Sequence, residues 1–363
     1  MPRVRPPAPK PRPPPPSPPP AGGRSLGGET LPDALAVVNP NRQDEDGALA
    51  HLCAAAVVFL MLVEAGRQLR EAGTQGPDLM ALLDLVALAT VADVAPLIGV
   101  NRAFVRQGLK VMARRARVGV AALSDVAGMN TAPAAYHLGF MLGPRINAGG
   151  RVGKADLGAR LLASNDPHEA AALSERLDTL NTERREVENT VRAQALAQAE
   201  ERGTDGALVW AAGDGWHPGV VGIVAARLKE ATGRPAVVIG LEDGIGKGSG
   251  RSVSGVDLGA CIQKLAMQGV LLKGGGHKMA AGLTVAQDTL EEAMAQLSAL
   301  LEKQGAHLRG PSDLRLDGML MPAAASVELT EAVESAGPFG AGAPAPRYVF
   351  ADMRLFSARR VGE

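Results

Sequence analysis

Alternating strands and helices, joined to a second apolar region by one long polar helix, predict an α/β protein of more than one domain. Three observations carry that reading. Residues 207–240 read strand, helix, strand, the signature of an α/β layer. Asp166–Arg202 is rich in charge and alanine and has no Gly or Pro after Pro167, which predicts an exposed connecting helix. The 363 residues are 46% hydrophobic, enough for true cores, and at about 100–200 residues per domain they allow two or three domains.

The elements follow in chain order. Residues 1–25 contain PPAPKPRPPPPSPPP; proline lacks the amide donor and fixes φ, so this stretch forms neither helix nor ladder and is expected to be polyproline II or disordered. From Leu31 the pattern becomes globular. Ala34–Val38 reads as a short strand ending in the turn Asn39-Pro40-Asn41. His51–Ala72 and the apolar Asp78–Val94 read as helices, and Asn101–Arg117 as an amphipathic one. Beyond the connecting helix, Ala207–Ala211 is a strand, Gly219–Thr232 a helix and Ala236–Gly240 a strand. A glycine-rich hairpin region, Gly244–Ser252, and a helix from Asp257 come next. Gly274-Gly275-Gly276-His277 reads as a tight turn before a small-residue strand. A last unit starts near Pro311 and contains GPFGAGAPAPRYVF.

Composition excludes several classes. With 38 basic and 38 acidic side chains the net charge is zero, so the chain does not coat nucleic acid by bulk charge. Aromatics are 3%, so the cores are built of Ala, Val and Leu and stacking platforms are few. Cys53 and Cys261 are too far apart for a disulfide framework or zinc site, and they suit a reducing, cytoplasmic setting. Leu52–Val63 is too short to span a bilayer, and Leu79–Val100 is long enough but contains Asp84 and Asp93, so it reads as a buried helix of a soluble domain; no membrane association is expected. The first residues have no apolar segment of a signal peptide.

Several motifs carry chemistry. Asp93 closes an almost wholly apolar helix; it is either a helix-terminal carboxylate bonded to backbone or a metal ligand, and one Asp does not make a site. In Leu142–Arg151, Arg145 and Arg151 flank a Gly-rich turn with Asn147, which is either a structured surface loop or a phosphate contact. Gly246–Ser252 alternates small residues with Lys247, Ser249, Arg251 and Ser252. It reads as an anion cradle or a flexible hairpin tip, and lacks the Walker order. Gly275, Gly276 and His277 suit phosphate or sugar contact, the alternative being that His277 is a satisfied structural residue. Gly219 and Gly222 open a helix whose positive end suits an anion or whose glycines allow close packing. Arg102, Arg106, Lys110 and Arg114 form a basic stripe, either solvated or tracking a polynucleotide.

The order of these motifs resembles the DHH/DHHA1 phosphoesterases, and within them the RecJ-type exonucleases specific for single-stranded DNA. LPDALAVVNPNR, DLVALATVADVAPL, LGPRINAGGR, WHPGVVGIVAARLKE, GKGSGRS and GGGHKMAAGL all match in order, and GPFGAGAPAPRYVF resembles the start of an OB-like β-barrel. The resemblance covers about residues 26–363. It implies an α/β architecture: a partial DHH domain (26–165), a connecting helix (166–204), a DHHA1 domain (205–305) and an incomplete OB-like domain (306–363). It also implies hydrolysis of single-stranded DNA from the 5′ end with Mn2+ or Mg2+, in recombination and repair. Asp93 would be the last acidic metal ligand and would act in catalysis. Ser249, Arg251 and Ser252 would hold DNA phosphate, Arg145, Asn147 and Arg151 would line the cleft, and Gly275, Gly276 and His277 would complete the substrate face. Single-strand-binding protein and recombination helicases are implied partners.

The chain departs from the family where the Asp-His-His triplet normally precedes a stretch like LGGETLP: Gly23-Arg24-Ser25 stands there, and Glu29 and Asp33 match no ligand motif. Residues 1–25 are therefore expected to come from a frameshift or wrong start. Arg-Ser-Leu can be encoded CGA-TCA-CTN, which one base over contains GAT-CAC, Asp-His. The OB-like domain is expected to be cut short, the chain to have little nuclease activity alone, and apolar helices such as Asp78–Val94 to be exposed. The rival readings are a phosphodiesterase of short RNA or cyclic dinucleotides, a noncatalytic nucleic-acid-binding module, and the DHHA1-like domain of alanyl-tRNA synthetases.

Overall fold

A computed structural model describes residues 34–42, 44–306 and 314–351, with 353, 354, 356, 357 and 359. The expectations for residues 1–25, Glu29 and Asp33 lie outside the described residues.

The first unit is helical. The expected strand Ala34–Val38 is irregular chain, since no described strand lies beside it to complete a ladder. The Asn39-Pro40-Asn41 turn forms, with Asn39 Oδ1 accepting from Asn41 N at 2.9 Å. Helix α1 spans Ala54–Glu71. The single helix expected over Asp78–Val94 divides into a 3-10 turn, Leu79–Leu82, capped by Asp78, and α2, Leu83–Ala92. The exposure expected for this segment does not occur: α2 is buried, as its apolar run with two carboxylates reads. Leu83 and Val86 join Leu52, Cys53, Ala56 and Phe59, while Ala87 and Leu88 join Leu97, Val105, Leu123, Leu138 and Leu142. A helix sandwiched between two cores is apolar all round. Each of its buried Leu and Val side chains contributes about 1.5–3 kcal/mol. The exposed apolar face belongs to α1 instead, at Val58, Met61, Leu62 and Val63.

Helix α3, Gly99–Met112, crosses α2 closely: a Cβ at Gly108 would lie 2.1 Å from the Leu83 carbonyl oxygen. It ends earlier than the expected Arg117. Arg115 takes φ 54° and binds Asp125, and Arg117 pairs with the buried Asp84. Helix α4, Val118–Val126, precedes a π-helical turn at His137–Leu142, which runs directly into α5, Gly143–Val152. The Gly-rich turn expected around Asn147 is thus a helix. Two of its glycines serve close packing: a Cβ at Gly143 would lie 2.8 Å from the Leu138 carbonyl oxygen and 3.2 Å from Ala92, and one at Gly149 3.3 Å from Leu177. Helix α6, Leu157–Ala163, leads to α7, Pro167–Arg202, with Asp166 as N-cap.

At 1.5 Å per residue α7 is roughly 54 Å long. It is not wholly exposed. Ala170, Leu173 and Leu177 join the helical core, and Val191, Ala195 and Ala199 join the core of the second unit. That unit contains β1 (Val209–Asp214), α8 (Pro218–Thr232), β2 (Ala236–Glu242), β3 (Ile245–Arg251), α9 (Leu258–Met267), β4 (Lys273–His277), β5 (Ala280–Ala286) and α10 (Leu290–Glu302). The sheet order is β1-β2-β3-β5-β4, with β1 and β2 parallel and the other pairs antiparallel. Asp243 and Gly244, at φ 50° and 74°, turn the β2–β3 hairpin. Helices α9 and α10 cover one face of the sheet, and α8 with the end of α7 covers part of the other.

The last elements are β6 (Gly318–Leu320), α11 (Val327–Ser335) and β7 (Tyr348–Phe350), with β6 and β7 paired in parallel. The described residues contain no closed barrel. Residues 336–343 dock on the α2–α3 junction. Leu97 N donates to the Ala341 carbonyl at 2.6 Å, Arg102 to that of Ala336, and Arg106 to that of Ser335 at 3.2 Å. Half of the basic stripe thus caps the end of α11.

Candidate nucleic-acid interface

Strand β3 alternates faces. Its glycines turn inward: a Cβ at Gly248 would lie 2.8 Å from Ile239 and 3.1 Å from Leu283. Lys247, Ser249 and Arg251 therefore point to the opposite face. Register extends the row, because directly paired residues share a face. Ser249 pairs with Gly282 and Gly282 with Gly275; Arg251 pairs with Ala280 and Ala280 with His277; Lys247 pairs with Thr284 and Thr284 with Lys273. One face thus carries Lys247, Ser249, Arg251, Lys273 and His277 around Gly275 and Gly282. This floor is open: nothing lies within 4 Å of a Cβ built on Gly275. A ligand's backbone can approach it closely.

Helix α8 walls one side. His217 caps it, Nδ1 accepting from Gly219 N at 3.0 Å. A Cβ at Gly222 would lie 3.1 Å from both Ser249 Oγ and the Arg251 guanidinium. Arg251 Nη1 donates to Ser249 Oγ at 2.9 Å and to the Gly250 carbonyl at 2.9 Å. At the end of α5, Arg151 donates to the Gly219 carbonyl at 2.9 Å, and a Cβ at Gly219 would lie 2.5 Å from the Arg151 carbonyl oxygen. The helical unit and the sheet unit therefore meet backbone to backbone where the arginines converge. Burial, then the Arg151 charge, pushes the Arg251 guanidinium below its ordinary pKa. Burial likewise lowers Arg184 of α7; Glu188 opposes this, and Arg151 and Arg185 add to it. Guanidiniums gathered this way favour an anion.

Asp93 follows α2 in a turn where Val94 takes φ 57°, a left-handed conformation rare for a β-branched residue. With Asn147, Gly150 and Arg151 it lines a cleft of about 630 Å³. A smaller cleft continues past Asn147 and Arg151 to Arg184 and Ile223. Desolvation by its apolar neighbours raises the Asp93 pKa.

The structure thus brings Asp93, Asn147 and Arg151 to one cleft, and places Ser249, Arg251, Gly275 and His277 on the adjoining sheet face. Arg145 is turned toward α7, its guanidinium held by Asp178 at 2.8 Å and the Met141 carbonyl at 2.8 Å. Ser252 is buried, and its hydroxyl donates to the Val256 carbonyl at 2.8 Å. The expected turn at Gly274–His277 is strand β4. Gly276, at φ 151°, has no room for a side chain beside Ala281. Sequence reading missed Arg184, which is lost among the many charges of α7, and Gly282, whose role is visible only through register.

The chain is similar to known proteins in sequence and in fold. The family model of the DHHA1 domain matches residues 205–303. Single-stranded-DNA-specific exonuclease RecJ of Dickeya dadantii is 39% identical over 355 residues, covering 93% of this chain and 61% of that protein. The chain is a relative of RecJ. It spans 61% of that RecJ's length. RecJ of Thermus thermophilus in complex with Mn2+ superposes with TM-score 0.69 at 31% identity, covering 81% of this chain and 42% of that one. The Mg2+ complex gives TM-score 0.68 at 32% identity, over 80% and 44%. Those RecJ structures hold divalent metal. Among the described residues of this chain no three His, Cys, Asp or Glu side chains group to hold one, so Asp93 is a single candidate ligand and the described residues do not form such a centre. No described helix is long and apolar enough to cross a membrane.

Proposed function

We propose that this chain performs the strand-holding part of RecJ-type exonuclease function: it binds single-stranded DNA, 5′ end inward, for 5′-to-3′ phosphodiester hydrolysis in recombination and repair. The observation that carries it is the Arg151–Gly219 contact, which places the Asp93 cleft against the Ser249–Arg251 face. Arg151, Arg251 and Lys247 neutralise phosphates, Ser249 and the Gly275–Gly282 floor admit the backbone, and His277 borders the far edge, while Gly276 turns to the covered face beside Ala281. Asn147 lines the same cleft as Asp93 and Arg151. Arg145 and Ser252 act through what they hold: Arg145 fixes the start of α5, and Ser252 fixes the exit of β3. Asp93 is one ligand of the Mn2+ or Mg2+ centre of this reading; the described residues do not complete it, so on their own they bind rather than cleave. Single-strand-binding protein and recombination helicases are the partners this function implies, in the cytoplasm.

A 5′-phosphorylated single strand labelled at its 3′ end, given to the chain with Mn2+ and with EDTA, tests the reading. Binding in both with no shortening is expected; no binding in either overturns it. The affinity of three phosphate contacts falls with salt with a log–log slope of about −2, at roughly 0.7 per contact on single strands. Arg151→Ala reduces that slope by about 0.7, which a titration at several salt concentrations measures; an unchanged slope removes Arg151 from the interface.

A further inference from the structure

Tyr136 and Phe140 stack on each other with ring centroids 5.1 Å apart at 25°, and both are exposed, at 62% and 72%. Among only 2 Tyr, 6 Phe and 2 Trp this is a costly use of aromatic surface. The backbone explains the placement. They stand four residues apart at the π-helical turn His137–Leu142, whose Leu138 and Leu142 enter the core. Residues so spaced share a helix face. His137 holds the preceding loop, its Nδ1 accepting from Ala134 N at 3.0 Å, and packs edge-on to Tyr136. The same turn sends Gly139 and Gly143 into the wall of the cleft shared by Asn147, Arg151 and Arg184. The rings thus stand on the same helical turn as the glycines that wall this cationic cleft, and both are exposed.

We propose that the Tyr136–Phe140 pair is a nucleobase-stacking platform for the single strand whose phosphates lie in that cleft. The inference rests on the strand-binding reading above and adds a site to it. Phosphates drawn to arginines leave the bases of a single strand turned outward, and every base has a face that can extend a stack of rings. Such a platform is tolerant of sequence and rejects a strand without bases.

The test compares two fluorescent oligonucleotides of equal length and charge, one of thymidine nucleotides and one of abasic nucleotides. The full chain is expected to prefer the thymidine strand by about 5- to 150-fold per stacked base. The double variant Tyr136→Ala, Phe140→Ala is expected to bind both strands alike and to keep the salt dependence of the abasic strand. Phe140→Trp is expected to keep the preference, with tryptophan emission quenched by the thymidine strand alone; because it keeps an aromatic ring, it guards against a folding defect in the double variant. Salt-dependent binding of both strands without preference overturns the platform and leaves strand binding standing. A preference that survives the double substitution also overturns it and leaves the rings to a protein partner. Failure to bind either strand overturns the platform together with the reading on which it rests.

Discussion

Asp84 shows how one side chain's meaning changes between chain and fold. In the sequence it is a charge inside an apolar run. In the structure it is buried, with Arg117 Nε at 2.7 Å and Nη2 at 3.1 Å, and Arg117 also reaches the Ala81 carbonyl at 3.0 Å. Removing one partner of a buried pair strands the other charge, which costs about 3–5 kcal/mol. Arg117→Ala is therefore expected to lower stability by that amount in urea unfolding; a loss below about 1 kcal/mol would mean that water already reaches Asp84. Cys261 gives a second residue-level expectation. Burial raises its thiol pKa, with Asp257 adding, while the Gln304 hydrogen bond at 3.0 Å and Lys264 oppose. Less thiolate forms at neutral pH, so native protein is expected to react slowly with a disulfide reagent and unfolded protein quickly. Equal rates would show that the thiol is open.

At the scale of elements, helix α3 carries a basic stripe that the fold divides. Arg102 and Arg106 bind the carbonyls that end α11, and Arg102 also lies 5.9 Å from the Phe339 ring centroid. A cation at a helix C-terminus is worth about 0.3–1 kcal/mol, and a cation over a ring a similar amount. Arg102→Ala with Arg106→Ala is expected to free residues 336–343, so that limited proteolysis cuts there first while nucleic-acid affinity is unchanged. A matching loss of affinity would return the stripe to the interface. The same docking ends three to four residues from Asp93, at Pro96 and Leu97, where a Cβ at Gly342 would lie 2.7 Å from Pro96. The last unit therefore buttresses the turn that presents Asp93.

For the whole molecule, α7 decides what can stand alone. The DHHA1 match begins at residue 205, but the packed core begins earlier. Val191, Ala195 and Ala199 lie in the core on the α8 face of the sheet. Trp216 Nε1 donates to Gln194 at 2.8 Å, and Gln198 exchanges hydrogen bonds with Ala212 of the edge strand β1 at 2.9 and 3.1 Å. A fragment of residues 186–306 is expected to melt cooperatively. One of residues 205–306 is expected to be at least about 3 kcal/mol less stable, from one uncovered valine and three lost hydrogen bonds. Equal melting temperatures would show that α7 is only a tether.

Local chemistry was enough to read α7, because Asp166 caps it, Pro167 suits its first turn and Gly203 at φ 90° ends it. It was also enough for the hairpin turn at Gly244 and for the alternation of Gly246–Arg251, whose consequence needs only the two-residue period of a strand. The motif order and the aromatic-poor cores were legible for the same reason: they are properties of the chain, not of contacts. Other features were not. Gly143–Val152 reads as a loop by propensity, yet it is a helix because its glycines let it approach α2 and α7, a packing gain that outweighs backbone entropy. Arg145 and Arg151 look alike in sequence, but one is held by Asp178 and the other lies in the cleft. The meeting of Arg151 with Gly219 joins residues 68 positions apart, and no local preference encodes a contact at that range. The sequence by itself determined the elements with strong local signals, α7 and the β2–β3 hairpin among them, and which chemistry they carry. Only the tertiary structure decided which of those charges face one another, because that depends on helix packing and strand register rather than on neighbours in the chain.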